Sequence, residues 1–247
     1  DVAALRQSSD LFVDALIADS VDLGVPLMRA HFPRSFLDVN REPYELDPRM
    51  FEGELPAGTN TRSLRVSSGY GTVARLVAES QPIYPGRIPV SEALRRIEHY
   101  YISYHAALRQ ALASLRRIHG WAVLVDWHSM PSAAIAPGPQ VDIVLGGRNG
   151  TSWAPALVRE AQRLFQSLGL TVSRNQPYAW GYITEHYGTP SSGTEVVQVE
   201  INRGLYMDEA AQQPTAGFDG LREALALGSE GLIAYLAAAH SPGLAAE

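Results

Sequence analysis

Apolar residues recur at near-helical spacing from Ser8 to Gly24, where Leu11, Phe12, Ala15, Leu16 and Val21 share one face. Ser8 or Ser9 can cap that helix and Gly24 can stop it. Pro26 to Ala30 and Ser35 to Asn40 read as short strands, the second running into Asp38-Val39-Asn40-Arg41. Residues 42–90 are irregular and rich in Pro and Gly, which in a compact domain marks a functional or covering flap. Ser91 then caps a long helix, with Glu92 in its first turn, that runs to His119 and ends at Gly120. A short apolar strand, Trp121 to Val125, gives way to Asp126-Trp127-His128-Ser129. Val141 to Leu145 is a second such strand, followed by the turn Gly146 to Gly150 and a helix from Thr151 or Ser152 to Gly169. Leu170 to Ser173 and Glu195 to Asn202 complete the strands, and helices over 219–227 and 230–240 close the chain. Strands alternating with helices of this length predict an α/β fold with a mostly parallel sheet.

At 247 residues the chain fits one large domain, 1–247, better than two small ones. The net charge of −6 and the isolated pairs Arg95-Arg96 and Arg116-Arg117 give no basic stripe for nucleic acid. With no cysteine, disulfides, thiolate metal sites and a cysteine nucleophile are excluded, so any metal must be held by His and carboxylate. No apolar run approaches the roughly 20 residues that span a bilayer. No signal peptide is visible. The expectation is an enzyme acting on a small molecule in the cytoplasm.

In open α/β sheets the site lies beyond the carboxyl ends of the strands, and several strands here end in polar residues. Strand 195–202 alternates: Val197, Val199 and Ile201 point one way, Gln198, Glu200 and Asn202 the other. Such a polar row is costly unless it faces a cleft. His128, directly after an apolar strand, is either a metal ligand or a structural histidine, and Asp126 on the same face is placed to orient its ring. Glu200 is a candidate general base; the competing reading is an ion pair with Arg203. Asn40 and Arg41 offer an amide and a planar fork suited to a carboxylate, or a surface pair with Glu42 or Glu45. Ser129 lacks the Gly-x-Ser-x-Gly elbow of a serine hydrolase. The Gly146 to Gly150 stretch has neither dinucleotide nor P-loop spacing and reads as a tight strand-to-helix turn.

Several stretches together carry a resemblance: Ser9 to Asp14, Phe32-Pro33-Arg34, Asp38 through Pro48, Ser103-Tyr104-His105, Asp126 through Ser132, Asn175 through Tyr178, and Gln198 through Glu209. In these the chain resembles the N-formylglutamate amidohydrolase family, which is similar in its core to zinc carboxypeptidases. The resemblance implies a three-layer α/β/α sandwich with a mainly parallel mixed sheet. It implies one Zn²⁺ held by His128, by Asp10 (Asp14 as fallback), and by a histidine of a Pro-His-Ser-Gly segment on a first strand expected upstream of residue 1. Glu200 would act as base, and Asn40 and Arg41 would bind a substrate carboxylate. Arg203, Tyr178 and Arg148 would serve the second carboxylate or the oxyanion. The implied reaction converts N-formylglutamate to formate and glutamate, in histidine breakdown. Related amidohydrolases or carboxypeptidase-like enzymes with another acyl substrate, and a non-catalytic binding protein on the same fold, are the alternatives. Gly147 departs from the family pattern, which has Asp there.

Overall fold

The computed structural model describes residues 2–77, 81–135, 138 and 140–240. A long helix, α1, has three consecutive stretches: Val90–Arg96, a π-helical turn Ile97–Tyr101, and Ile102–His119. It stops at Gly120, whose φ of 81° is the left-handed conformation that glycine adopts without a Cβ penalty. Then follow β1 (Ala122–Met130), β2 (Ile143–Gly146), α2 (Pro155–Ser167), β3 (Val172–Arg174), a short α3 (Tyr182–Tyr187), β4 (Thr194–Asn202) and α4 (Gly217–Ala239).

The strands lie in the order β1-β4-β2-β3. β1 runs parallel to β4 and β2 parallel to β3, while β2 and β4 are antiparallel. Leu157, Ala161 and Phe165 of α2 and Leu225 of α4 pack with Val197, Val199 and Ile201 of β4 on one face. Each such side chain, fully buried, contributes about 1.5–3 kcal/mol. Leu108 and Leu112 of α1 and Ile183 and Tyr187 of α3 pack with Ala122 and Val196 on the other. The result is the predicted three-layer α/β/α sandwich with a mainly parallel mixed sheet.

Local elements differ from the sequence reading in several places, and neither Ser91 nor Thr151 or Ser152 caps its helix: α1 begins after Pro89 and α2 after Ala154. The expected helix 8–24 is reduced to Val13–Leu16 and a 3₁₀ turn Ala18–Val21, preceded by a separate short helix Val2–Gln7, because the chain bends at Asp10 to reach the sheet edge. Neither 26–30 nor 35–40 is a strand; Phe36 and Leu37 donate back to the Pro33 carbonyl, making a turn. β1 continues past Val125 to Met130, because β4 pairs with it in register along its whole length. The two expected C-terminal helices are one, α4. Its glycines serve packing rather than termination: a Cβ on Gly228 would meet Phe165 at 2.9 Å and one on Gly231 would meet Leu164 at 2.6 Å.

The flap 42–90 has its own apolar cluster, where Leu46, Met50, Phe51 and Val73 pack on Leu37 and on Ala93 and Ile97 of α1. β1 is an edge strand among the described residues. Beside it opens a cavity of about 1420 Å³, walled by Leu112 and Leu115 of α1, Val123 and Val125 of β1, and Leu232 and Leu236 of α4. Asp10 and His128 also line it. No described helix is long and apolar enough to cross a membrane.

Candidate active site

Strand alternation puts Asp126 and His128 of β1 on the same side of the sheet as Gln198 and Glu200 of β4. The parallel register then pairs Asp126 with Gln198 and His128 with Glu200. This is the face that α1 and α3 cover nearer the start of the strands. Beyond those helices the polar residues meet the turn 33–41 and the bend at Asp10.

Asp10 is held by both of its carboxylate oxygens. Oδ1 accepts from the Ser129 backbone N–H at 2.8 Å and its hydroxyl at 3.0 Å. Oδ2 lies 3.0 Å from His128 Nδ1 and accepts from Arg34 Nη1 at 3.2 Å. Burial alone would raise this carboxyl, yet Arg34 and His128 hold it well below the ordinary aspartate value. His128 Nε2, on the far side of the ring, is 3.1 Å from Asp126 Oδ2. Burial pushes the imidazole down, but Asp126 and Asp10 outweigh it and raise it well above its ordinary value. Asn40 Nδ2 donates to Asp126 Oδ2 at 3.1 Å and lies 2.9 Å from His128 Nε2, while its Oδ1 accepts from the Ile183 N–H at the start of α3. Glycine at 181 permits this approach, since a Cβ there would overlap the Asn40 amide.

Glu200 is buried, and its Oε1 accepts from Gln198 Nε2 at 2.7 Å. Burial raises its carboxyl and the Asp10 charge raises it further, against His128 and Arg34, which lower it. A buried acid kept near the point of proton transfer is what general-base work requires.

The structure thus brings Asp10, His128, Asn40 and Glu200 together. Tyr178, half-buried, feels the charges of Glu200, Arg203, Arg34 and Asp10 and belongs to the same surroundings. Arg41 lies one step behind, donating to the Tyr70 and Asn40 carbonyls with Asp38 at 3.4 Å. Arg203 is buried and spends its fork on Ser129 Oγ and the Gln7 and Ser9 carbonyls, so it holds the segment that presents Asp10. Arg148 stands at the surface in a pair with Glu185 at 2.9 Å. Asp14, the fallback ligand, pairs with Arg29 at the surface. At Gly147 a Cβ would overlap the Trp153 indole, which explains why no aspartate stands there.

Arg34 was missed in the sequence. Asp38 holds its Nε and Nη2 at 3.2 and 3.0 Å, leaving Nη1 for Asp10. Its spacing of four from Asp38 is a weak signal outside a helix. Gln198 was noted only as part of a polar row, and Ser129 only as a rejected nucleophile.

The donor chemistry suits a divalent cation. A carboxylate and an imidazole nitrogen from separate elements converge, and the imidazole is backed by a second carboxylate, as at catalytic zinc sites. Among the described residues no group of three or more His, Asp or Glu is placed to hold a metal, so Asp10 and His128 stand as a pair of candidate donors.

Residues 1–207 match the family model described as FGase, N-formylglutamate amidohydrolase. N-formylglutamate deformylase from Pseudomonas putida is 31% identical over 206 residues, covering 81% of this chain and 71% of that protein. The protein of the same name from Pseudomonas aeruginosa is 27% identical over 208 residues, covering 82% and 72%. A crystal structure of N-formylglutamate amidohydrolase from Ralstonia eutropha JMP134 shares the fold at a TM-score of 0.92 and 34% identity, over 97% of this chain and 87% of that one.

Proposed function

The chain belongs to the N-formylglutamate amidohydrolase family, and on that premise we propose that it hydrolyses N-formyl-L-glutamate to formate and glutamate in a metal-dependent reaction. The observation that carries this reading is the convergence of Asp10 and His128 on one side of the sheet with Glu200 as the cross-strand neighbour of His128.

Asp10 and His128 would hold a zinc ion. When bound, zinc would lower the pKa of a coordinated water and polarise a carbonyl. Glu200 takes a proton from the attacking water as its oxygen bonds to the formyl carbon. As the C–N bond breaks, Glu200 returns that proton to the departing nitrogen, which leaves as the amine of glutamate. Asn40 keeps Asp126 against the far nitrogen of His128, so the near nitrogen faces Asp10. Arg41, with the Asn40 loop, supplies the positive charge for one substrate carboxylate. Arg34 and Tyr178 stand by the reacting centre for the oxyanion or the second carboxylate, and Arg203 acts through the segment it holds. The reaction would serve histidine breakdown in the cytoplasm.

The test is release of formate and glutamate from N-formyl-L-glutamate by the zinc-loaded protein, loss of that activity with a chelator, and its return with zinc. Activity insensitive to chelation would overturn the metal, and a preference for another N-acyl amino acid in a substrate panel would overturn the acyl assignment.

A further inference from the structure

His105 belongs to a motif that the reaction leaves unused, and it is almost wholly buried in α1. Its ring nitrogens reach two different parts of the fold. Nε2 lies 2.9 Å from the Val39 carbonyl, and Nδ1 lies 2.7 Å from the Tyr187 hydroxyl of α3. A carbonyl can only accept, so Nε2 carries the proton and Nδ1 accepts from the tyrosine. Burial pushes the imidazole down to about 4, in keeping with that neutral tautomer.

One residue beyond Val39 is Asn40, and one beyond that is Arg41, whose carbonyl accepts from the Tyr101 hydroxyl at 2.7 Å. Tyr101 ends the π-helical turn of α1 and packs its ring on that of His105, tilted by 32° with centroids 4.2 Å apart. A π turn holds one residue more than an α turn, which rotates the side chains that follow by roughly 100°. The turn thereby sets how Tyr101 and His105, four residues apart, present themselves to the loop. Residues 39, 40 and 41 are each tied: Val39 to His105, Asn40 to the start of α3, Arg41 to Tyr101.

We infer that His105 is a positioning residue for the Asn40 loop: by joining Val39 to α3 it fixes the orientation in which Asn40 meets Asp126 and His128. The functional consequence rests on the reading of His128 as a metal ligand, but the structural effect on His128 does not.

Two variants test it. His105→Phe keeps a ring against Tyr101 and Tyr187 and removes both hydrogen bonds. His105→Gln retains an amide that can donate to Val39 and accept from Tyr187. Long-range ¹H–¹⁵N spectra of the metal-free protein read the ring nitrogens of His128 directly. The expected result is displaced His128 signals in His105→Phe and near wild-type signals in His105→Gln. Zinc affinity and kcat/KM should fall about 10- to 100-fold in the first and recover to within a few-fold in the second, the usual size for an outer-shell partner. Unmoved His128 signals in His105→Phe, or equal displacement in both variants, would overturn the inference. Should His105→Phe not fold, Tyr187→Phe removes one of the two bonds, and unmoved His128 signals there have the same meaning. A wild-type protein inactive on N-formylglutamate would sink the proposed reaction and leave the spectral test standing.

Discussion

β4 presents two faces of opposite character. On one, Val197, Val199 and Ile201 are buried against α2 and α4. On the other, Gln198, Glu200 and Asn202 are also buried, beside buried His128 and partly buried Asp126 of β1. The first face stabilises the fold by removing apolar surface from water, a non-directional effect that tolerates similar shapes. The second holds ionisable groups out of water, where each requires a partner. Asp10 finds Arg34, Ser129 and His128, His128 finds Asp126 and Asp10, and Glu200 finds Gln198. One strand therefore separates stability from chemistry by the parity of its residue numbers.

Substitutions on the two faces should separate those roles. The largest effect belongs to Glu200→Gln, which keeps the shape and removes the base. Formate release should fall by about 10²- to 10⁴-fold, while the melting temperature holds or rises because a buried charge has been removed. A drop in melting temperature with activity retained would reverse the assignment of the faces. Next is Ile201→Ala on the apolar side, expected to lose about 2–5 kcal/mol of stability in denaturant titration. Its kcat, per folded molecule, should stay within a few-fold of wild type. The smallest effect is a shift in pH dependence. Burial raises the Glu200 carboxyl above its ordinary value of 4.5, so the acid limb of kcat/KM should lie above that value. Activity falls as pH drops through the raised value, because a protonated carboxyl cannot accept the proton of water. Gln198→Leu removes the hydrogen bond that stabilises the charged form, so the limb should move about one further unit toward alkaline pH. A limb that stays in place, or moves to lower pH, would show that Gln198 does not support the base.

The regular parts of the fold were legible because their signals are local. α1, α2 and β4 follow from spacing and alternation within their own segments, although α1 begins after Pro89 and α2 after Ala154 rather than at the expected Ser91 and Thr151 or Ser152 caps. The segment 35–40 was expected as a strand, yet it lies in a turn whose shape comes from Arg34 clasping Asp38 and from Asp38 Oδ1 accepting the Asn40 N–H. The strand β1 looked short because Asp126 and His128 break its apolar run; pairing with β4 carries it on to Met130. The two helices expected over 219–227 and 230–240 are one, and the close approach of Phe165 and Leu164 of α2 to Gly228 and Gly231 leaves no trace in the α4 sequence. In the site, His128 stood out after an apolar run and Glu200 by strand alternation, whereas Arg34 did not, since its partners Asp10 and Asp38 are gathered by the fold.

By itself, the amino-acid sequence determined the α/β class, the alternation that gives β4 a dry face and a polar one, and the restriction of any metal site to His and carboxylate. Only the tertiary structure decided that Asp10 reaches His128 across 118 positions of chain and that Asn40 meets Asp126 across 86. Periodicity and capping act between residues a few positions apart, so they are written along the chain. A carboxylate meeting an imidazole from a distant element depends on strand register, on helix packing and on a glycine at 181 that lets two segments touch.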